Sequence, residues 1–329
     1  MRLCRVPLLD TAVIDVPAQC REHGVDVNTS FNTVAIVARR HTPEILASVN
    51  AVEAFMQANQ VNVLFGEQTL ASLPAQAPDG SKRCSCSDDE MGEAVDLVVV
   101  VGGDGSLLGF GREMAASGVP VVGVNRGGLG FLAAISPDQI ETKFAEILAG
   151  QYWVENHFLL QASVWRDGRV IAEQSALNDV VVSPGVVMGM MEFALWLDDE
   201  FVYEQRSDGL IVASPTGSTA YALSAGGPIM HPGLDALVVV PMFPHTLTSR
   251  PLVVPGDKVL RLRLLDNPGT APQISCDSQV QIRFEVGDEI QIQKHPDQLK
   301  LLYPSDHSFY EACRSKLDWA SRLGGQPVR

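Results

Sequence analysis

The chain has 329 residues, longer than a usual single domain, so two domains are expected. Its 46% hydrophobic content is ample for packed cores and excludes a wholly disordered chain. The formal net charge of −15 excludes a broad basic face for nucleic acid. Arg112, Arg126, Arg206 and Arg250 nevertheless lie near glycine-rich segments, where local charge can serve a small anionic ligand.

Residues 1–30 hold no steady period and are expected to form a mobile or loosely docked extension. They lack an unbroken apolar core of signal-peptide length, since Asp10 interrupts it, and no run in the chain reaches the ~20 apolar residues of a membrane helix. The six cysteines (Cys4, Cys20, Cys84, Cys86, Cys276, Cys313) are scattered and read as free thiols of a reducing compartment. Cys84 and Cys86 form C-x-C with no second pair nearby to complete a zinc site. A soluble, cytoplasmic protein with no membrane or nucleic-acid partner is the expectation.

Residues 31–152 read as an α/β domain with a parallel sheet. Thr33–Ala38 is a short β-branched run. Thr42-Pro43 then caps a helix whose face is Ile45, Leu46, Val49, Val52, Phe55 and Met56, and Val61–Phe65 is the next strand. Residues 71–93 lose any period and read as a long surface loop, either a flap over a site or a mobile insertion. Leu97–Val101 is the run of a strand buried on both faces, and it feeds Gly102-Gly103-Asp104-Gly105 before a helix over 106–116. Val119–Val124 is another buried strand, ending in a second glycine-rich turn from Asn125 to Phe131. Open parallel sheets bind ligands at their carboxyl edge, so these two turns predict one cleft. Ser136-Pro137-Asp138 caps a helix that runs to about Leu148.

Residues 153–300 change texture. Short β-rich segments recur at 159–165, 170–173, 180–183, 192–197, 201–204, 210–213, 259–265, 280–284 and 290–294, which predicts an all-β, sandwich-like domain. Within it, Asp208 to Tyr221 reads as strand, polar turn and a helix-compatible segment to Leu223. Residues 301–329 include a helical stretch over 308–323, expected to return to the α/β domain.

The first glycine turn fits either a tight strand-to-helix connection capped by Asp104 or an anion cradle whose N–H groups face phosphate. It is not the dinucleotide fingerprint, because Leu108 stands at the third glycine's place, and no Gly-Lys-Ser/Thr follows to make a Walker loop. Asn178-Asp179 at a strand entrance fits a turn or a ligand contact. The hydroxyl-rich run Pro215 to Thr219 fits a nucleoside contact or a helix cap.

Together, VVVVGGDGSLLG (98–109), GVNRGGLGFL (123–132), LNDVV (177–181), QRSDGLIVASPTGSTAYALSAGGPIMHP (205–232), VPMFPHTLTSRPLVV (240–254) and ISCDSQ (274–279) resemble the NAD kinase family, in the family's order. The resemblance implies transfer of a phosphoryl group from ATP, or in some members polyphosphate, to the 2′-hydroxyl of the adenosine ribose of NAD. It implies that Asp104 contacts the acceptor ribose and either acts as general base or orients the hydroxyl. It puts Gly102, Gly103, Gly105 and Ser106 against the donor phosphates and their Mg²⁺, with Gly105 also close to NAD. Asn178, Thr216, Thr219 and Ala220 fall around the adenine or ribose, Tyr221 lines the pocket, and Phe131 is its apolar wall. Asp179 and Asp208 serve the ribose and nicotinamide end, and Arg126, Arg206 and His245 are further candidates. A neighbouring subunit completes the pocket in many members, which implies a homodimer or homotetramer.

Two residues depart from the family: Asp179 stands where Glu is usual, and Ser106 where Thr or Asn is usual, at a position tied to donor choice. ATP is the expected donor. A lipid or sugar kinase of the same superfold and a non-catalytic dinucleotide sensor are the alternatives.

Overall fold

A computed structural model describes residues 31–74, 76–77, 80–127, 130–185, 189–266 and 271–318. The expectations for the 1–30 extension, for Gly128 and Leu129 of the second glycine turn, and for a helix beyond residue 318 lie outside these residues.

The N-terminal part starts with β1 (Thr33–Val37), α1 (Pro43–Ala58) and β2 (Asn62–Gly66). Thr42 caps α1 by accepting from the Ile45 N–H, and the helix buries Ile45, Val49, Val52 and Met56 at the spacing the sequence shows. Segment 71–93 differs from the expected loop. After α2 (Glu67–Ala71) come β3 (Cys84–Cys86) and α3 (Asp88–Ala94). Three residues of strand carry no readable period, and α3 buries only Met91, so neither left a sequence signal. The segment is tied to α1 by the buried Arg83–Glu53 ion pair and by Arg83 Nη2 donating to Asn50. It sits at the sheet edge on β2, away from the glycine turns.

β4 (Leu97–Gly102), α4 (Asp104–Met114), β5 (Val121–Asn125) and α5 (Ile140–Leu148) complete this part. The parallel order β5-β4-β1-β2-β3 brings the carboxyl ends of β1, β4 and β5 to one edge. Every residue of β4 is buried, as its continuous apolar run requires. Helix α4 begins at Asp104, two residues earlier than expected, so the acid belongs to the first helical turn rather than to the middle of a loop.

The β-rich part contains β6 (Tyr152–Arg166), β7 (Arg169–Ala176), β8 (Asp179–Ser183), β9 (Met191–Leu197), β10 (Glu200–Ser207) and β11 (Gly209–Ala213). As the sequence suggests, a polar turn follows, a 3₁₀ turn over Thr216–Thr219, and then the single helical turn α6 (Tyr221–Ser224). Then come β12 (Ala236–Met242), β13 (Leu252–Pro255), β14 (Leu260–Asp266), β15 (Gln273–Cys276), β16 (Val280–Arg283) and β17 (Glu289–Pro304). Of these, β12, β13 and β15 are strands beyond those the sequence marked.

The order β13-β12-β11-β8-β15-β16 forms one antiparallel sheet. It faces β6, β9, β14 and β17 across a shared core that includes Leu160, Val180, Val182, Phe193, Val212, Leu262, Ile274 and Ile290. That is the sandwich-like packing expected of the alternating strands. The connection to the α/β part was not expected. β17 runs along β6 and then pairs in parallel with β5 at Leu301↔Val121, so an eleven-stranded sheet spans both parts. The boundary read at 300/301 falls inside this strand. The C-terminal helix α7 (Phe309–Leu317) does return to the α/β part, where Glu311, Ser315 and Lys316 share a cavity of about 360 Å³ with Phe131, Ala133 and Lys143. No helix among the described residues is long and apolar enough to cross a membrane.

Candidate active site

Asp104 is held where the two glycine turns meet. Its carboxylate accepts from the N–H groups of Phe131 (2.6 Å), Leu132 (3.2 Å) and Ala133 (3.2 Å). The approach depends on Gly130, where a Cβ would lie 2.6 Å from Asp104 Oδ1. Burial pushes the Asp104 carboxyl above the usual range, against the pull of those three N–H groups. The acid therefore starts with more basicity than a free aspartate, before any ligand arrives.

On one side of Asp104 is an open cleft of about 590 Å³, floored by Gly102, Gly103, Gly105, Ser106 and Gly127. Three arginines border it: Arg39 and Arg40, which leave the end of β1, and Arg126, whose Nε donates to Ser48 Oγ at 2.6 Å. Backbone N–H groups at a helix start together with three guanidinium groups suit a polyanion such as a chain of phosphates. Among the described residues no group of three or more His, Cys, Asp or Glu is clustered to hold a metal ion.

On the other side, Phe131 and Leu132 line a narrow pocket with Thr216, Thr219 and His157. Asn178 and Asp179 lie at the start of β8, beside the end of β11, where Ala213 pairs with Asp179. The Thr216–Thr219 turn is laid directly on them. A Cβ on Gly217 would lie 2.0 Å from the Asn178 carbonyl oxygen, so only glycine fits. Asp179 is buried, with Oδ1 unpartnered, and Asn178 Oδ1 is likewise buried and unpartnered. Burial, and then the charge of Asp277, push the Asp179 carboxyl up to about 7. Two adjacent buried oxygens with nothing to bind are the mark of a site built for a ligand's donors.

The two sides are wired together through Arg112 by two residues that the sequence reading gave no role, Asp277 and Gln279. Asp277 accepts from the N–H groups of Leu177 (2.9 Å), Asn178 (2.7 Å) and Asp179 (3.2 Å). It also receives Arg112 Nη1 at 2.6 Å. Arg112 Nη2 donates to Gln279 Oε1, and Gln279 Nε2 donates to the Gly105 carbonyl. An unbroken chain of hydrogen bonds thus runs from the Asn178-Asp179 turn to the first glycine turn. Asp277 and Gln279 stand in the ISCDSQ stretch, so that stretch was the available signal for both. Arg39, Arg40 and His157 carried no such signal, because each is brought to the site by strand order alone.

Ala220 and Tyr221 follow the turn, with Tyr221 exposed at the start of α6. Asp208 does not join the cluster. It is exposed at the opposite end of β11, about 20 Å from Ser214 by strand rise. Arg206 and His245 are exposed at that same end, where the His245 N–H donates to the Arg206 carbonyl.

Residues 34–152 match the family model described as the ATP-NAD kinase N-terminal domain, and residues 177–303 match the ATP-NAD kinase C-terminal domain. A protein named NAD kinase from Pseudomonas syringae pv. tomato is 49% identical over 295 residues, covering 90% of this chain and 98% of that relative. One of the same name from Teredinibacter turnerae is 48% identical over 296 residues, covering 90% and 99%. Among solved structures, yeast NADH kinase complexed with NADH has a TM-score of 0.81 at 23% identity, covering 90% of each chain. An NAD kinase from Archaeoglobus fulgidus in complex with ATP has a TM-score of 0.66 at 24% identity, covering 87% of this chain and 98% of that one. The chain belongs to the NAD kinase family.

Proposed function

We propose that the protein phosphorylates the 2′-hydroxyl of the adenosine ribose of NAD at the expense of ATP, giving NADP and ADP. The observation that carries this reading is the position of Asp104, which lines the cationic cleft while its carboxylate accepts from the N–H groups of Phe131 and Leu132, two residues that line the pocket with Thr216 and Thr219. In this reading the ATP phosphates occupy the cleft against Gly102, Gly103, Gly105 and Ser106, neutralised by Arg39, Arg40 and Arg126. The acceptor adenosine lies between Phe131 and the Thr216–Tyr221 segment, with Asn178 and Asp179 receiving its donors. The oxygen of the 2′-hydroxyl forms a bond to the γ-phosphorus while the bond from that phosphorus to the β-bridging oxygen breaks, and its electron pair leaves with ADP. Asp104 takes the hydroxyl proton. Its raised pKa suits it to that task, because a stronger base accepts the proton earlier along the reaction.

A divalent ion such as Mg²⁺, carried on the ATP phosphates, supplies further charge neutralisation when bound. The chain's own contribution is the cradle around those phosphates. Asp208, Arg206 and His245 serve the nicotinamide end of a neighbouring subunit's pocket in a homodimer or homotetramer, consistent with their exposure at the far end of β11. The enzyme works in the cytoplasm.

The test is ATP-dependent NADP formation by the wild type and by Asp104→Asn. The variant keeps the shape and loses the proton acceptor, so kcat is expected to fall by ~10²–10⁴-fold with the KM for ATP little changed. Full turnover in the variant would remove Asp104 from proton transfer, and NAD binding without turnover in the wild type would point to a sensor. Mixing Asp208→Ala and Asp104→Asn chains tests the shared pocket: hybrid oligomers are expected to regain part of the activity that each parent lacks.

A further inference from the structure

The C-terminal helix turns one face toward the second glycine turn. Ser308, Glu311, Ala312, Ser315 and Lys316 recur at helical spacing, and all five line the cavity of about 360 Å³ that α7 shares with Lys143 of α5. The helix is fixed in that orientation by Ser308, whose hydroxyl accepts from the Glu311 N–H, and by the burial of Cys313. Gly130, Phe131 and Ala133 form the facing wall. Gly130 is its thinnest part, because a Cβ there would lie 2.6 Å from Asp104 Oδ1. Among the described residues this cavity has no lining residue in common with the arginine-bordered cleft, so it adjoins the Asp104 carboxylate from another side.

Two lysines line the cavity, and one of them is committed to carboxylates. Lys143 donates to Glu146 at 2.9 Å and to Asp306 at 2.8 Å. Among the described residues Lys316 has no carboxylate within ion-pair distance, and its charge acts on Asp104. Burial pushes Asp104 up, while the N–H groups of Phe131, Ala133 and Leu132 and the charge of Lys316 draw it back. We propose that Lys316 is a positioning residue of the reaction: its ammonium, on the cavity side, keeps Asp104 a carboxylate while the donor's phosphates occupy the cleft side. An acid that already holds a proton cannot accept one from the ribose hydroxyl, and both burial and phosphate charge favour the protonated form. A cation in a separate cavity opposes both without being neutralised by the phosphates themselves.

The other groups around Asp104 do not supply this charge. The segment after β5 offers backbone N–H groups. Tyr303 of β17 feels the charges of Glu155 of β6 and of Asp104, but burial raises its hydroxyl well above the usual range and it stays neutral. His307, stacked on Tyr303 at 4.2 Å, is drawn toward its neutral form by burial. Arg112 of α4 is paired with Asp277, and Arg39 with Glu113. Arg40 and Arg126 border the cleft, where the phosphates are proposed to bind. Two carboxylates in the cavity wall oppose Lys316, Asp306 and Glu311, and both are exposed, so solvent screens them.

The inference rests on the reading of Asp104 as the proton acceptor, and the experiment keeps the two separable. Turnover of NAD at saturating ATP is followed between about pH 5 and pH 8.5 in wild type, Lys316→Met, Lys316→Glu and Lys316→Arg. Removing a cation raises the pKa of Asp104, so the acid limb of the Lys316→Met profile should move up by roughly half to one pH unit. Within the limb that is a loss of about three- to tenfold, and the profiles should converge at the alkaline end. Lys316→Glu should move the limb further, and Lys316→Arg should bring it most of the way back. Arg314→Met removes the same charge from the last turn of α7, outside the cavity wall, and should leave the limb within about 0.2 pH units of wild type.

An unmoved limb in Lys316→Met, a loss equal at every pH, or a Lys316→Arg profile like that of Lys316→Met would overturn the inference. If Lys316→Met fails to fold, Lys316→Gln carries the same comparison. If wild type forms no NADP, the proposed activity fails, and urea unfolding still reads the effect of Lys316 on Asp104. The proton on Asp104 contributes stability that is full near pH ~4 and is lost as pH rises through the folded-state value. Measured as the difference between each chain and its Asp104→Asn counterpart, that loss should extend to higher pH in Lys316→Met than in wild type. Coincident profiles would overturn the inference.

Discussion

The arginine-bordered cleft and the Phe131–Thr216 pocket, proposed for donor and acceptor, meet at Asp104 but are held by different means. The cleft is made from backbone at the carboxyl edge of β1, β4 and β5 and is open to solvent, and its charge comes from side chains that reach in separately. Contacts of that kind act nearly independently and are screened by salt. The pocket is narrow, and the Asn178-Asp179 turn that backs its Thr216–Thr219 wall hangs on the single carboxylate of Asp277, which serves three backbone N–H groups and Arg112 at once. In a buried network, losing one member strands the rest. Damage to the cleft should therefore be graded, and damage to the pocket should be close to all-or-none.

The sharpest way to break this contrast is Asp277→Ala. The change leaves three buried N–H groups without an acceptor and Arg112 without its partner. Breaking a buried pair of this type costs about 3–5 kcal/mol. Expected outcomes are a drop in melting temperature of several degrees and loss of NAD binding by about two orders of magnitude in calorimetry, with ATP binding in the same protein changed far less. Asp277→Asn can still accept from the backbone and should fall between the two. An Asp277→Ala protein that binds NAD normally would show that the pocket does not depend on the network.

A second, smaller effect concerns pH. The folded-state pKa of Asp179 is pushed up to about 7, so between the ordinary aspartate value and pH 7 the folded chain holds a proton that the unfolded chain has lost. The stability contributed at this position is therefore full below about pH 4, is lost as pH rises to about 7, and is constant above that. Asp179→Asn removes this dependence. By urea unfolding the variant should gain stability relative to wild type between pH 5 and pH 8, by an amount on the order of 1–4 kcal/mol. Parallel pH profiles for the two proteins would mean that Asp179 is not desolvated as the geometry requires.

These two halves were also unequally legible in the sequence. The cleft could be read because its parts are contiguous: Leu97–Val101 feeding Gly102–Gly105 is a buried strand and its turn in a single run, and Val121–Gly127 repeats the pattern on the next strand. The parts of the pocket and of the turn behind it are separated by 59 to 100 residues along the chain. Asn178 and Thr216 were found because each lies in a family-like motif, but nothing local ties Asp277 to Leu177 or His157 to Thr216. Those pairs exist because β8 lies between β11 and β15 and because β6 passes beneath the 216–219 turn, and strand order of that kind has no sequence period. The same reason hid β17. Its first half alternates like a sandwich strand and was read as one, while its second half joins the parallel sheet and gives no sign of changing partners. Segment 71–93 was misjudged for a different cause, since its order rests on long-range contacts that no local pattern announces: the Arg83–Glu53 ion pair, Arg83 on Asn50 and the pairing of β3 with β2.

The smallest effect expected, and the best check on the independence of the cleft, is Arg39→Ala. Arg39 is exposed, stands over the Phe110 ring at 5.1 Å, and is paired with Glu113 at 3.0 Å on the surface of α4. Removing it deletes one of three guanidinium groups near the phosphates and touches nothing on the acceptor side. The KM for ATP should rise by about three- to tenfold at low ionic strength, with kcat and the KM for NAD nearly unchanged. Because the site is open, raising the salt concentration should shrink the difference between variant and wild type, as screening replaces the lost charge. Steady-state kinetics at two ionic strengths read both parts of this expectation. A salt-independent effect, or an equal rise in both KM values, would mean that Arg39 belongs to the same cooperative network as Asp277 and that the cleft is not assembled from separate contacts.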